Sequence, residues 1–477
     1  MIRRDVVILG GGPAGERAAI QAARAGKDVA LVEREHVVGG TCINWGTIPS
    51  KTLRQSAMFV LSLTDNRMEG IRTEIAEEIT IQDFMHRERL VVQRELEIVN
   101  RTLDRYRVEV FRGHGRLAGP NVVSVSGPDG RETERLEGGV VVIATGSSPS
   151  RPPHVPFDGV AVFDSDTILR LPRLPRTMIV LGAGVVGVEY ASIFSALGIR
   201  ISLVDGRPAL LPYLDREIAG ILERALRRRG IDLVQGETCD EILRLPVEPP
   251  RVRCRTRSGL CLEADALLYA VGRDGNTADL GLETVGIRPT ARGLLEVDEF
   301  YRTSVPHIYA VGDVIGYPAL ASTSMEQGRQ AIRHAFDLPG PRGKTGPLPF
   351  ALYSIPEASY IGETEAGLSG KGVDFVVGRG LYEYNPRGQI LGDTDGLLKL
   401  LFETRSLALL GVHIVGEGAS ELVHVGQAFL SQGADAFRIS ETLYNYPSLS
   451  DLYRHAALEA IAASRRKLAG TGGGTAP

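Results

Sequence analysis

"RDVVILGGGPAGERAAIQAARAGKDVALVERE", Arg4 to Glu35, changes character in a fixed order. The apolar run Asp5 to Leu9 predicts a strand, Gly10-x-Gly12-x-x-Gly15 a turn, and the Ala-rich stretch ending at Gly26 a helix. A second strand follows from Asp28 to Val32 and is closed by Glu33. Gly10 permits the sharp turn, Gly12 lets backbone approach a pyrophosphate, and Gly15 packs helix on strand. The helix N-terminus offers N–H groups and positive dipole to phosphates. Glu33 is spaced to accept from a ribose hydroxyl. A lone glycine turn is weak evidence and often only joins a strand to a helix; strand, turn, helix, strand and acid in sequence is a dinucleotide frame.

The frame recurs in "RTMIVLGAGVVGVEYASIFSALGIRISLVDGR", Arg176 to Arg207. Here the strand is Met178 to Leu181 and the turn Gly182-x-Gly184-x-x-Gly187. The helix runs to Gly198 and the next strand from Ile199 to Val204, with Asp205 at its end. Two complete frames imply two dinucleotide sites, where a simple dehydrogenase needs one. Asp205 is placed to accept from the 2′-hydroxyl of NAD, and Arg207 to pair with the 2′-phosphate of NADP. Both together suggest tolerance of either cofactor; the alternative is that Arg207 points to solvent.

Between the frames lies a charge-rich helical stretch, Ile81 to Arg107. The strand Val140 to Ile143 then enters Ala144-Thr145-Gly146 and a Pro-rich segment, which reads as a crossing into a second domain. "ADALLYAVGRDGNTADL" reads as the crossing back. Strand Ile308 to Val311 ends in Gly312-Asp313, where α/β folds hold ligand hydroxyls, and a helix runs through Met325 to Phe336. Pro339 to Pro349 is a linker, followed by an α+β domain. The expected organisation is a first domain from 1–149 and 278–346, a second at 150–277, a third at 347–468, and a disordered tail at 469–477. The fold class is α/β, with two Rossmann-like domains and a C-terminal α+β domain.

A net charge of −4 gives no field for nucleic acid or anionic membrane. No run of eighteen or more apolar residues exists, so no membrane span is expected. The apolar run near Met1 is too short for a secretion signal. Cys42, Cys239, Cys254 and Cys261 lack metal-ligand spacing and are too few for a secreted disulfide scaffold, which predicts reduced thiols, no bound metal and a cytoplasmic setting. The 56 glycines exceed the average share of about 7% and sit in spaced motifs, as close backbone–ligand approach requires.

The two frames, "ATG" (Ala144 to Gly146), "YAVGRDGNT" (Tyr269 to Thr277) and "IYAVGDV" (Ile308 to Val314) together resemble the flavoprotein disulfide reductases over nearly the whole chain. The resemblance implies FAD in the first frame and NAD or NADP in the second, with a homodimer formed through the C-terminal third. By the same likeness, FAD is expected at Gly10, Gly12, Gly15, Glu33, Cys42, Thr47, Lys51, Thr145, Gly146 and Asp313. NAD(P) is expected at Gly182, Gly184, Gly187, Asp205, Arg207 and Gly272. Lys51 resembles the family's lysine beside flavin N5 and Glu189 its ion-pair partner, so these two are the expected catalytic residues.

In "GGTCINWGTIPSK", Gly39 to Lys51, the chain departs from that family. Disulfide reductases carry Cys-x4-Cys; here Thr47 holds the second position, and a hydroxyl cannot relay a disulfide. Their C-terminal His-Pro-Thr-x-x-Glu is "YPSLSD" here, with Tyr446 for the His and Asp451 for the Glu. Tyrosine, with a pKa of about 10, is a poor base at neutral pH. "CINWGTIPSKTLR" and "GDVIGYPALASTSMEQGR" are most similar to the family's soluble transhydrogenase branch. That likeness implies hydride transfer between NADPH and NAD+ through flavin N5 in a ping-pong cycle, with one nicotinamide site and no protein thiol. The alternatives are a quinone or dye reductase of the same fold and a non-catalytic flavin sensor. Cys42 reads mainly as a small residue kept near the flavin.

Overall fold

The computed structural model describes residues 1–65, 80–343 and 346–471. They form two compact units, one of 1–59, 80–174, 268–343 and 346, the other of 60–65, 175–267 and 347–471. The chain is mixed α/β, as expected.

Among the described residues the first unit is built on a seven-stranded sheet. Its parallel centre sets Val29–Glu33, Ile2–Leu9 and Glu132–Ile143 side by side, with Ile308–Ala310 beyond. Val6 to Leu9 and Val141 to Ile143 are fully buried or nearly so, because helices cover one face and apolar strand and loop residues such as Leu117, Val123, Leu280 and Leu295 cover the other, leaving no polar side for an alternating pattern. The helix Pro13–Arg24 lies on this sheet beside Ala321–Ala335. The return of the chain at Ile308 therefore completes a sheet begun at Ile2.

The second unit holds the parallel strands Thr177–Leu181, Arg200–Asp205 and Ile231–Gln235, with the helix Val185–Ala196 after the glycine turn. A three-stranded antiparallel sheet runs Cys239–Leu245, Arg251–Thr256 and Cys261–Ala264. Residues 347–471 form a five-stranded antiparallel sheet in the order Phe350–Leu352, Ala358–Gly362, Leu409–Val415, Leu397–Glu403, Phe375–Leu381. The helix Leu452–Thr471 packs against its last strand. Positions 469–471 thus close a helix, and the rest of the tail expected to be disordered lies outside the described residues.

The expectation of reduced thiols fails at one place. Cys239 and Cys254 are joined in a disulfide. They lie on adjacent strands, where a register irregularity at Cys239 brings their Cα atoms to 6.1 Å, within the range a disulfide bridges. A spacing of 15 residues carries no such signal in sequence, because it depends on the hairpin's register. Cys42 and Cys261 are free.

Candidate active site

The parallel strands of the first unit end at a cavity of about 450 Å³. Gly10, at φ +104°, makes the turn at the end of Ile2–Leu9; a Cβ there would run into the carbonyl of Ala144. A Cβ on Gly15 would strike the carbonyl of Gly10, so this glycine brings helix Pro13–Arg24 down onto the turn. Gly12 is that helix's N-cap and Pro13 its first residue, which costs no hydrogen bond because the first N–H groups of a helix have no intrahelical partner. Those donors face the cavity wall formed by Gly10 to Ala14.

Glu33 lines the cavity beside the glycine turn. Its carboxylate accepts from the N–H of Gly11 at 2.8 Å and of Glu35 at 2.9 Å. Burial is the largest influence on it and pushes its pKa up, against the pull of those two N–H groups. Asp313, at the tip of the strand Ile308–Ala310, accepts from the Ser147 hydroxyl at 3.0 Å. Thr145 Oγ1 is buried on this wall without a hydrogen-bond partner among the described residues. Ala321 and Ser324 bring the N-terminal turn of helix Ala321–Ala335 to the same wall. A phosphate cradle, a ribose acid, an orphaned hydroxyl and a second helix N-terminus around one cavity fit an FAD.

Cys42 and Thr47 line the cavity too, from the helices Gly40–Asn44 and Thr47–Asp65. The Cys42 thiol is free, and the Thr47 side chain lies close enough to act on it. Burial pushes its pKa up; the Thr47 side chain and the Lys51 ammonium pull back without cancelling it. Trp45, the sole tryptophan, shares this wall, with the Arg170 guanidinium 5.8 Å from its ring centre. Gly146 also lines the cavity. Gly15 and Lys51 are not among the residues that line it: Gly15 packs beneath the turn, and Lys51 bears on Cys42 through its charge. Gly272, at φ +89°, is a turn residue away from the wall.

In the second unit the same local chemistry repeats. Gly184 caps helix Val185–Ala196, and a Cβ on Gly187 would strike the carbonyl of Gly182. Asp205 accepts from the Ala183 N–H at 2.5 Å, which ties the strand tip to the glycine turn. The Arg207 side chain is half exposed and leans on Asp205. Its Nε and terminal nitrogen donate to both Asp205 oxygens at 2.8 and 2.7 Å. Burial opposes Asp205's charge, but the hydrogen bonds from Arg207 and Ala183 outweigh it and hold the carboxyl below its usual range. Glu189, buried on the helix after the turn, accepts from the Tyr353 N–H at 2.9 Å. Lys51 belongs to the other unit, and its pairing with Glu189 is a proposal.

The sequence model of the pyridine nucleotide-disulphide oxidoreductases matches residues 4–328, and that of their dimerisation domain residues 348–457. The chain belongs to this family. It is 42% identical to a soluble pyridine nucleotide transhydrogenase of Mycobacterium bovis, over 96% of this chain and 97% of the other. A protein of the same name from Chromohalobacter salexigens is also 42% identical, over 95% and 97%. Among solved structures, LpdA of Mycobacterium tuberculosis superposes with a TM-score of 0.88 at 27% identity, covering 96% of this chain and 99% of that one. The HOCl-induced flavoprotein disulfide reductase RclA of Escherichia coli gives 0.84 at 27%, over 95% and 99%.

Within this oxidoreductase framework several cavity residues escaped the sequence reading. Ser147 and Asn276 line the wall; Ser147 holds Asp313, and Asn276 donates to the Thr145 carbonyl at 3.0 Å. Ser147 follows the motif "ATG" and Asn276 lies within "GRDGNT", and their side chains were the unread signal. His114 also lines the cavity, and only the strand order brings it there.

Proposed function

We propose that this oxidoreductase is a soluble transhydrogenase carrying out NADPH + NAD+ → NADP+ + NADH, with FAD in the cavity of the first unit and no active-site disulfide. The observation that carries the reading is the neighbour of Cys42: on the cavity wall the side chain beside the thiol is that of Thr47, a hydroxyl and not a second sulfur. The identity to proteins named transhydrogenases supports it. When bound, FAD supplies a hydride relay, accepting at N5 from one nicotinamide nucleotide and returning the hydride to the next in a ping-pong cycle.

The chain's own tasks are binding, charge and positioning. Gly10, Gly12 and the first N–H groups of helix Pro13–Arg24 hold the pyrophosphate, Glu33 the adenosine ribose, and Asp313 the chain joining phosphate to ring. Lys51 supplies positive charge near the reacting edge, with Glu189 as its partner. Gly182, Gly184, Gly187 and Gly272 receive the nicotinamide nucleotide. Asp205 accepts from the 2′-hydroxyl of NAD, and Arg207, still beside Asp205, meets the 2′-phosphate of NADP. A carboxylate already neutralised by its neighbour repels that phosphate less than a bare one, which suits a site that must take both nucleotides. The protein acts in the cytoplasm as a homodimer through its dimerisation domain; among the described residues no helix is long and apolar enough to cross a membrane.

The test is anaerobic. One equivalent of NADPH bleaches the flavin absorbance, and NAD+ added afterwards restores it while NADH appears. Recovery with a quinone but never with NAD+ makes the protein a diaphorase and overturns the proposal.

A further inference from the structure

The segment 206–214 joins Asp205, at the tip of strand Arg200–Asp205, to Asp215, the N-cap of helix Arg216–Arg228. It carries Arg207, and its far end rests on the C-terminal sheet. Five residues stand directly opposite one another across that sheet: Phe350, Tyr360, His413, Lys399 and Arg379. Directly paired residues present side chains on one face, so these form a continuous row. Tyr213, at the end of the segment, and Asp215 and Glu217, just beyond it, land on this row. The Tyr213 ring lies 5.3 Å from Phe350 and 6.3 Å from Tyr360, centre to centre. His413 stacks on Tyr360. Lys399, fully buried, donates to Asp215 at 2.8 Å and pairs with Glu217 at 2.9 Å and with Glu365. Arg379 binds both oxygens of Glu217 at 2.8 and 3.0 Å.

Asp215, Glu217 and Glu365 converge as a metal site would. The Lys399 ammonium bonds to all three, so the cation is built into the chain. Its use is mechanical. It fixes the N-cap of the helix and hence one end of the Arg207 segment, while the Gly236 N–H bonds the Arg207 carbonyl at 3.1 Å at the other end. Hydrogen bonds to Asp205 dominate the electrostatics at Arg207, and Tyr213 also bears on it.

We infer that the face of the C-terminal sheet is a seat for the segment carrying Arg207, with Tyr213 and Lys399 as positioning residues that set its grip on a 2′-phosphate. The inference rests on Arg207 being that phosphate's ligand. A segment pinned at both ends presents the guanidinium without first being ordered, and that pre-organisation is what the sheet contributes.

The experiment measures binding of 2′-phosphoadenosine 5′-phosphate and of AMP to the FAD-loaded enzyme by calorimetry. Tyr213→Ala should weaken the 2′-phosphorylated probe about 3- to 10-fold, the size of one lost aromatic contact, and leave AMP unchanged. KM for NADPH should rise by a like factor with kcat held, and Tyr213→Phe should restore it. Lys399→Met should act in the same direction; where it fails to fold, Tyr213→Ala decides. Arg207→Ala is the control and should abolish the preference for the 2′-phosphate. If Arg207→Ala abolishes it while Tyr213→Ala leaves it at the wild-type value, the seat is overturned and the Arg207 reading stands. If Arg207→Ala changes nothing, both fall together.

Discussion

The Cys42 thiol and the Thr47 side chain lie beside each other on the wall of the cavity in the first unit. In the frame that disulfide reductases use for two thiols, this pair offers one sulfur. Thr47→Cys should therefore oxidise readily. Mild oxidant should remove two titratable thiols from the denatured variant, with a matching loss of two hydrogens by mass between residues 42 and 47. A variant that keeps both thiols would show that the two helices do not hold these positions within bonding distance.

Thiol chemistry should also separate Cys42 from Cys261. The thiolate is the reactive form, and burial moves the Cys42 pKa up, so the fraction ionised at neutral pH falls below that of an ordinary cysteine near 8.5. Iodoacetamide at pH 7 should label the exposed Cys261 first, and Cys42 should need a higher pH than a free thiol. The sign follows from the direction of the shift: the protonated thiol is the form the fold favours, and that preference fades as pH rises through the folded-state pKa. In unreduced, denatured protein two thiols should titrate, since Cys239 and Cys254 are joined. Four would remove that bond.

The two glycine turns should fail separately. Gly15→Ala drives a methyl into the Gly10 carbonyl, and Gly187→Ala does the same at Gly182. Each overpacking costs about 1–3 kcal/mol and is felt at its own turn. FAD titrated into apoprotein should quench Trp45, the sole tryptophan and a cavity-wall residue. Gly15→Ala should weaken that quenching titration, while Gly187→Ala should leave it alone and raise KM for both nucleotides. Quenching lost equally in both variants would contradict two independent sites.

What the sequence made legible was local. Each glycine turn reads directly because its steric reason lies within six residues, as Gly10 under Gly15 shows. The parallel strands read as apolar runs because both faces are covered. The Cys239–Cys254 bond and the row from Phe350 to Arg379 were not legible, since register between strands far apart in sequence creates them. Lys399 illustrates the limit. "LLKLLF" reads as a buried strand interrupted by one charge, and only the fold shows three carboxylates waiting for it. A lysine centred in so apolar a run was the signal to follow.

That lysine carries the most demanding prediction. Burial works against its charge, but the carboxylates of Asp215, Glu365 and Glu217 outweigh it and hold the ammonium above its usual range. Lys399→Met leaves Asp215 buried without its cation, which should cost about 3–5 kcal/mol. Glu217 and Glu365 are about a third exposed and find water, so they add little. Arg379 stays on Glu217, and His413, its pKa lowered by burial, stays neutral at pH 7 and cannot replace the lost charge. A raised lysine pKa contributes stability that is full below the unfolded value, about 10.4, and lost as pH rises through the folded one. Glu217 is held below its usual range: burial opposes its charge, but Arg379 and Lys399 outweigh it, so its share is lost as pH falls through the folded value. The gap in denaturant stability between wild type and Lys399→Met should therefore be widest near neutrality and close at both extremes. A gap independent of pH would mean that Lys399 stabilises by packing alone.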